Sequence, residues 1–377
     1  MRERRLRFTD GNRVELYEEG RPGLQAMLEA IENARRRIHL ETYILRADTI
    51  GLEFLKALEE KARAGVEVRL LYDSIGSLTL DESALEPLRA AGGEIVSFNP
   101  VLSFIRFAPR RRDHRKILVV DGRVAFTGGL NIGDEYVSGL GSTGPGEVWR
   151  DAHVRVEGPC VRELEAVFLE SWFRADGPAL AWGSLLEREP ARAGDVRCAV
   201  LADGPSHRRR RTRELLISAL EEAEREVRLV SPYFAPGRRV LEVLGEASAR
   251  GVRVALLLAG RSSDHQSLRR ATRAVLPGLL ARGVRVYEYD LAMMHAKLAC
   301  FDSSWCVVGS SNLDRQSFEH SYEVNLVFEN ASLAQRVAAR FDADIAMARQ
   351  IDLAAFGRRG FIERLRDWLS ALLLRWI

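Results

Sequence analysis

The sequence predicts an α/β protein made of two tandem copies of one unit, with helices on mixed sheets and the copies packed about a pseudo-twofold axis. Three observations predict it. Short β-branched runs alternate with amphipathic stretches along the whole chain. The runs recur in the same order in both halves. The last run of each half carries the same polar residues at identical spacing. The length of 377 residues suits two domains at about 150 residues each, enough to bury a core without staples.

Taken in order, IHLETYI (38–44) matches VRLVSPYF (227–234), each after an amphipathic helical stretch, 23–37 and 211–225. GVEVRLLYD (65–73) matches GVRVALLLAG (251–260), each after an alanine-rich helix. GGEIVSFNP (92–100) matches GVRVYEYD (283–290). HRKILVVDGRVAFTGGLN (114–131) matches HAKLACFDSSWCVVGSSN (295–312). Between the halves, 175–194 carries Gly and Pro without a period and reads as a linker. The expected organisation is residues 1–175, a linker 176–194, residues 195–350, and a C-terminal amphipathic segment 351–377.

Composition narrows the class. A hydrophobic fraction of 46% with 29% charged residues is that of a globular protein and excludes disorder. Cys160, Cys198, Cys300 and Cys306 form no CxxC pair, which argues against a disulfide framework or zinc ribbon and fits a reducing compartment. The N-terminal charges precede no apolar stretch, so no signal peptide is expected. No run reaches the roughly 20 apolar residues that a membrane-spanning helix needs. A net charge of +3 is not that of a nucleic-acid binder. The chain has 52 arginines and four lysines. A lysine here therefore marks a site where arginine's planar fork would not fit.

Two of those lysines lie in matched motifs: His114-x-Lys116-x4-Asp121-x6-Gly128-Gly129-Leu130-Asn131 and His295-x-Lys297-x4-Asp302-x6-Gly309-Ser310-Ser311-Asn312. Asp121-Gly122 between ILVV and VAFTG predicts a hairpin, as does Asp302-Ser303-Ser304 in the second copy. Residues i and i+2 share a strand face, so each histidine points with its lysine. Asp121 and Asp302 fall at the turns, where they hold turn and lysine geometry rather than touch substrate. Gly129, Ser310, Asn131 and Asn312 are expected to meet an anion through backbone approach and amide donors.

Under pseudo-twofold packing both polar faces share one cleft holding two imidazoles, two ammoniums and two amides. That set suits a phosphate diester. The lysines can stabilise a pentacoordinate transition state without a metal. One imidazole can attack phosphorus while the other protonates the leaving alcohol. Clustered carboxylates of the kind that hold Mg²⁺ beside a glycine-rich loop are missing, so no cofactor is expected. Each imidazole needs a carboxylate on its other nitrogen. Asp151 in WRDAHVRV is expected to orient His114, and Glu323 in SYEVNLVF to orient His295. His153 shares the Asp151 face, and Tyr43 and Tyr233 end matched strands. The stretch 138–147 reads as a glycine-rich loop at the cleft mouth.

These residues resemble the phospholipase D superfamily, marked by a doubled HxKxxxxD motif followed by GGxN or GSxN. Within it, HRKILVVDGRVAFTGGLNIGDEY, WRD, ETYI and SPYF are most similar to bacterial cardiolipin synthases, of the B-type without N-terminal transmembrane helices. The resemblance implies two phospholipase D-like domains and catalytic roles for His114, Lys116, Asp121, His295, Lys297 and Asp302. It implies that His114 attacks and His295 is the general acid. It implies transfer of a phosphatidyl group between two phosphatidylglycerols with release of glycerol, on the cytoplasmic face of the bacterial inner membrane. No nucleic-acid partner is expected, although a hydrolase or metal-independent nuclease would share the chemistry. Two segments could reach a bilayer. FIERLRDWLSALLLRWI (361–377) places Phe361, Leu365, Trp368, Leu369, Leu372 and Trp376 on one helical face, for an interface or for docking on the protein body. VLSFIRFAPRRR (101–112) reads as a cleft lip or as core.

Overall fold

The apolar runs build strands that are covered on both faces. Leu70–Asp73 and Val254–Ala259 are buried throughout, the pattern of parallel strands packed between helical layers. The computed structural model describes residues 6–100, 111–137, 148–179, 190–205 and 210–373. The first half contributes β1 (Thr9–Tyr17), β2 (Arg37–Thr42), β3 (Glu67–Asp73), β4 (Glu94–Phe98), β5 (Ile117–Val120), β6 (Val124–Gly128) and β7 (His153–Glu157). The second contributes β8 (Val196–Asp203), β9 (Glu226–Ser231), β10 (Arg253–Ala259), β11 (Arg285–Tyr289), β12 (Leu298–Phe301), β13 (Trp305–Gly309) and β14 (Glu323–Glu329). Their order across the sheet is β4-β3-β2-β5-β6-β7-β1-β8-β14-β13-β12-β9-β10-β11, with Arg349–Gln350 on the outer edge of β11. Each strand of one half thus has its counterpart at the mirrored place in the other. Within each half the first three strands from the outer edge run parallel and the rest antiparallel.

The mixed sheets of the two halves are continuous. β1 and β8 pair antiparallel and fuse the halves into one sheet, with Thr9 opposite Cys198 and Asn12 opposite Val196. The Asn12 amide donates to the Val196 carbonyl at 3.2 Å. β1 escaped the repeat reading because TDGNRVELY is mostly polar, and its buried apolar residues are only Val14 and Leu16.

The main helices are α1 (Gly20–Glu32), α2 (Thr49–Arg63), α3 (Cys160–Arg174), α4 (Arg211–Glu222), α5 (Arg238–Ala249), α6 (Gln266–Leu280), α7 (Ala331–Met347) and α8 (Phe361–Leu373). The four cysteines are buried and free. Both predicted hairpins form. Asp121 and Gly122 have φ of +54° and +64°, and Asp302 and Ser303 have +52° and +49°, left-handed pairs that Asp and Gly tolerate.

Backbone contacts across the pseudo-dyad set the site. The His114 N–H donates to the Tyr322 carbonyl at 2.9 Å, and the Tyr322 N–H to the Arg112 carbonyl at 2.8 Å. The counterpart bonds run from the His295 N–H to the Arg150 carbonyl at 2.7 Å and from the Arg150 N–H to the Met293 carbonyl at 2.8 Å. Arg115, fully buried, adds bonds to the carbonyls of Asp203 (3.0 Å) and Glu323 (3.3 Å) and to Ser171 Oγ (2.8 Å).

The α8 helix docks on α6 through its acids. Buried Asp367 pairs with Arg359 and Arg273, and Glu363 lies 3.0 Å from Arg273. Ile362, Leu365, Trp368 and Leu369 face outward. Residues 101–110 and 138–147, where the expected lip and mouth loop fall, and Trp376 lie outside the described residues. Among those described, no helix is long and apolar enough to cross a membrane.

Candidate active site

His114 and His295 line one cavity of about 710 Å³ at the junction of the halves, a size typical of small-molecule sites. His114 directly precedes β5, and the bond to Tyr322 sets it beside Glu323, the first residue of β14. Its Nδ1 lies 3.2 and 3.1 Å from Glu323 Oε1 and Oε2. His295, tied to Arg150, lies beside Asp151, and its Nδ1 is 2.6 Å from Asp151 Oδ2. Both carboxylates orient histidines as expected, but the partners are exchanged: Glu323 serves His114 and Asp151 serves His295. The reason is the crossing backbone bonds, which lay each motif histidine against the other half. A carboxylate on Nδ1 fixes the tautomer and leaves Nε2 of His114 for the cleft.

The lysines sit under the histidines. Lys116 Nζ donates to the His114 carbonyl at 2.7 Å and lies 5.2 Å from the Tyr43 ring centre. Lys297 Nζ is 2.9 Å from each ring nitrogen of His295. Burial, reinforced by Lys297, lowers Lys116 to about 7. Burial lowers Lys297 to about 8 against the pull of Asp151 and Glu323. Burial takes His114 down to about 4, with Glu323 opposing, and lowers His295 too, with Lys297 adding to it. Burial raises Asp151 and Glu323, but the facing lysines and histidines outweigh it and hold both below the usual carboxylate range. These shifts set neutral imidazoles against ionised carboxylates. A bound anion would raise both lysines and His295.

Several expected contacts are corrected. Asn131 lines the cavity, but its Oδ1 accepts the Ile44 N–H (3.1 Å) and its Nδ2 donates to the Tyr136 hydroxyl (2.8 Å). It therefore steadies Tyr136, whose hydroxyl is 3.5 Å from His295 Nδ1. Asn312 also lines the cavity, and its buried Oδ1 has no partner among the described residues. Gly129 meets no anion. A Cβ there would lie 1.9 Å from Asp151 Oδ1, so the glycine makes room for that carboxylate. Ser310 donates its hydroxyl to Glu323.

Asp121 and Asp302 are corrected as catalytic residues. Asp121 accepts the N–H groups of Arg35, Arg36 and Arg37 at 2.9, 2.8 and 3.0 Å. Asp302 accepts those of Glu224, Arg225 and Glu226 at 3.2, 2.8 and 2.9 Å. Each sits at the far end of its strand, about 15 Å along the chain from its lysine. Their turn-holding role stands, and a hold on lysine geometry does not.

His153 is buried, does not line the cavity, and burial lowers it to about 4. Tyr43 packs edge-on against His114 with ring centres 4.8 Å apart. The sequence reading missed the enclosure of His295 by Tyr136 and Trp149, at 6.0 and 5.3 Å between ring centres. Trp149 is two residues before Asp151, so alternation could have found it. The sequence reading gives no role to His265, His320 or Asp264. All three line the cavity.

The chain matches a family model described as "Cardiolipin synthase, PLD-like domain" over residues 27–143 and 216–345. It is 37% identical to a cardiolipin synthase of Alkalihalophilus pseudofirmus over 94% of this chain and 70% of that protein. It is 36% identical to one of Geobacillus kaustophilus over the same shares. Among solved structures it is similar to a phosphatidylserine synthase of Haemophilus influenzae, with a TM-score of 0.73 and 13% identity, covering 96% of this chain and 92% of that one.

Proposed function

The chain belongs to the family of cardiolipin synthase, phospholipase D-like domains, and from that premise we propose that it moves a phosphatidyl group from one phosphatidylglycerol to another and releases glycerol. The observation that carries this is the pair of motif histidines at one cavity, each with Nδ1 on a carboxylate of the opposite half. His114 Nε2 attacks phosphorus. The bound diester raises His295 and so keeps it protonated, and the glycerol oxygen departs on the opposite side and takes that proton. His295 then removes the proton of an incoming lipid hydroxyl, which displaces His114 from phosphorus. Lys116, Lys297 and the Asn312 amide hold the non-bridging oxygens, where charge builds in each transition state. His114 is the more open imidazole, with its side chain 13% exposed against 6% for His295. That supports the family's assignment of the nucleophile.

An anionic bilayer surface is the expected partner. The α8 helix buries Asp367 and turns Ile362 and Trp368 to solvent at 65% and 55% exposure, the reverse of a helix that serves only to cap a core. With exposed Arg366 beside that face, it fits a headgroup layer. Deleting 361–377 should weaken co-sedimentation with phosphatidylglycerol liposomes, and unchanged binding rejects that role.

Incubation with phosphatidylglycerol liposomes tests the activity. Cardiolipin with glycerol is the expected product. Phosphatidic acid alone would make the chain a hydrolase. No lipid turnover, with DNA cleaved in EDTA, would make it a nuclease.

A further inference from the structure

The cavity walls are not equivalent. Among the described lining residues, Arg112 is paired with Asp73, Glu323 with His114 and Ser310, and Arg315 with Glu319. Asp314 accepts the Ser317 N–H at 2.8 Å. Asp264 differs. Both its oxygens lie against the Tyr233 hydroxyl, at 2.7 and 2.9 Å, and the His265 imidazole lies 3.7 Å away. One hydroxyl occupies one of about four acceptor positions on a carboxylate. Asp264 therefore faces the cavity with acceptor capacity to spare.

A carboxylate repels the phosphate diester, so its place in the cleft is with the part of the substrate that donates hydrogen bonds. In a phosphatidyl ester of glycerol that part is the headgroup alcohol. Its charge is felt at His295 and Lys297, the side on which the alcohol leaves and enters. In the first half Tyr43, the counterpart of Tyr233, meets the edge of His114 instead. Arg112 and Arg315, which line the same cavity, disfavour a cationic headgroup there. A neutral polyol satisfies the acceptor at no charge cost.

Resting on the phosphatidyl-transfer reading, we propose that Asp264, steadied by Tyr233, accepts hydrogen bonds from the free hydroxyls of the alcohol on the His295 side of the cleft. It is a specificity-determining residue, selecting glycerol-bearing donors and acceptors over simple alcohols.

The test is acceptor competition with the full chain. Short-chain phosphatidylglycerol is the donor, with isotope-labelled glycerol, 1-propanol and ethanolamine as competing acceptors, and the lipid products are resolved by mass. Wild type should prefer glycerol. Asp264→Asn should lower the glycerol-to-propanol ratio about 10- to 100-fold, the range for losing a hydrogen bond to a charged group. Tyr233→Phe, which keeps the ring but frees the carboxylate, should lower it less. An unchanged ratio in Asp264→Asn, whatever happens to the total rate, overturns the assignment. So does a larger fall for ethanolamine than for glycerol, which would mark a cation site. A wild-type protein that transfers nothing to any alcohol and releases no glycerol would instead overturn the phosphatidyl-transfer reading, and the subsite with it.

Discussion

The first half holds His295 with a short acid, and the second holds His114 with a long one. Asp151 reaches His295 because Gly129 leaves space for its carboxylate and the Ala152 N–H anchors it at 2.7 Å. Glu323 spans further to His114, and its extra freedom is removed by the Ser310 hydroxyl. The next inward positions differ in the same way. His153 follows Asp151 and has no hydrogen-bond partner among the described residues, whereas Asn325 follows Glu323 and bonds Thr212 at 2.9 Å and Ser311 at 2.8 Å. The lesson is that the fold is duplicated and the site is not. Each half supplies one motif histidine and the carboxylate bonded to the histidine of the other half, so in the proposed reaction neither half holds a complete site.

The largest effects break that division of labour. His114→Ala should abolish turnover and the acid-labile phospho-enzyme together. His295→Ala should slow a good leaving group less than a poor one and let the covalent species accumulate, read by radiolabel retained after acid quench. The crossed carboxylates come next. Glu323→Gln should reproduce the His114 defect, and Asp151→Asn the His295 defect, each lowering kcat by about 10²- to 10⁴-fold. Rapid-quench measurement of phospho-enzyme formation and decay separates the two. The same-half pairing would give the opposite assignment.

The exchange shows what the sequence could and could not carry. The repeat, the two hairpins and the six polar motif residues follow from local periodicity and spacing, because a strand's alternation and a tight turn are decided within a few residues. Which carboxylate meets which histidine depends on how the two sheets join, and that rests on β1 and β8. β1 is a polar strand without a repeat signature, and its pairing spans 184 or more positions of chain. Asp264 was illegible for a related reason. RSSDHQ has no counterpart in the first half, so duplication, the strongest signal here, was silent. Gly129 and Ser310 were misread because a small residue beside a motif looks alike whether it admits a ligand or a neighbouring side chain.

The lysines sharpen the comparison through pH. Lys116 near 7 and Lys297 near 8 must be protonated to hold a diester, and His114 near 4 must be neutral to attack. The free-enzyme kcat/KM should therefore fall as pH drops through about 4, and fall on the alkaline side first as His295, lowered by burial, loses the proton it must donate and then as the lysines deprotonate through about 7 to 8. Stability moves the other way. The folded lysine values lie below the unfolded value of about 10.4, so the unfolded chain binds more protons from about 7 upward and these two groups favour folding more as pH rises. A thermal melt at pH 6 and pH 9, with and without vanadate, reads both. Vanadate should raise the Tm more at pH 6. Lys116→Arg, which keeps the charge but brings a planar fork, should lose most activity at every pH. An active variant would undo the lysine argument.

The smallest effect separates stability from chemistry. Asp121 and Asp302 each accept three backbone N–H groups where a helix hands over to β2 or β9. Removing either carboxylate leaves those donors to water, since they lie at the exposed end of the hairpin. The cost should be about 1–3 kcal/mol, read as a shift in the denaturant midpoint. Turnover per folded molecule should hold within about threefold in Asp302→Ala, because no reacting group touches that turn and small surface effects add independently of the site. Asp121→Ala should cost somewhat more. Gly122 beside it packs against the Arg37 guanidinium, which is paired with buried Glu165 at 2.8 Å, and the second half has Ser303 in that place. If instead both variants lost activity with no change in midpoint, the turn aspartates would act on the chemistry after all, and the separation of scaffold from site in each copy would fail.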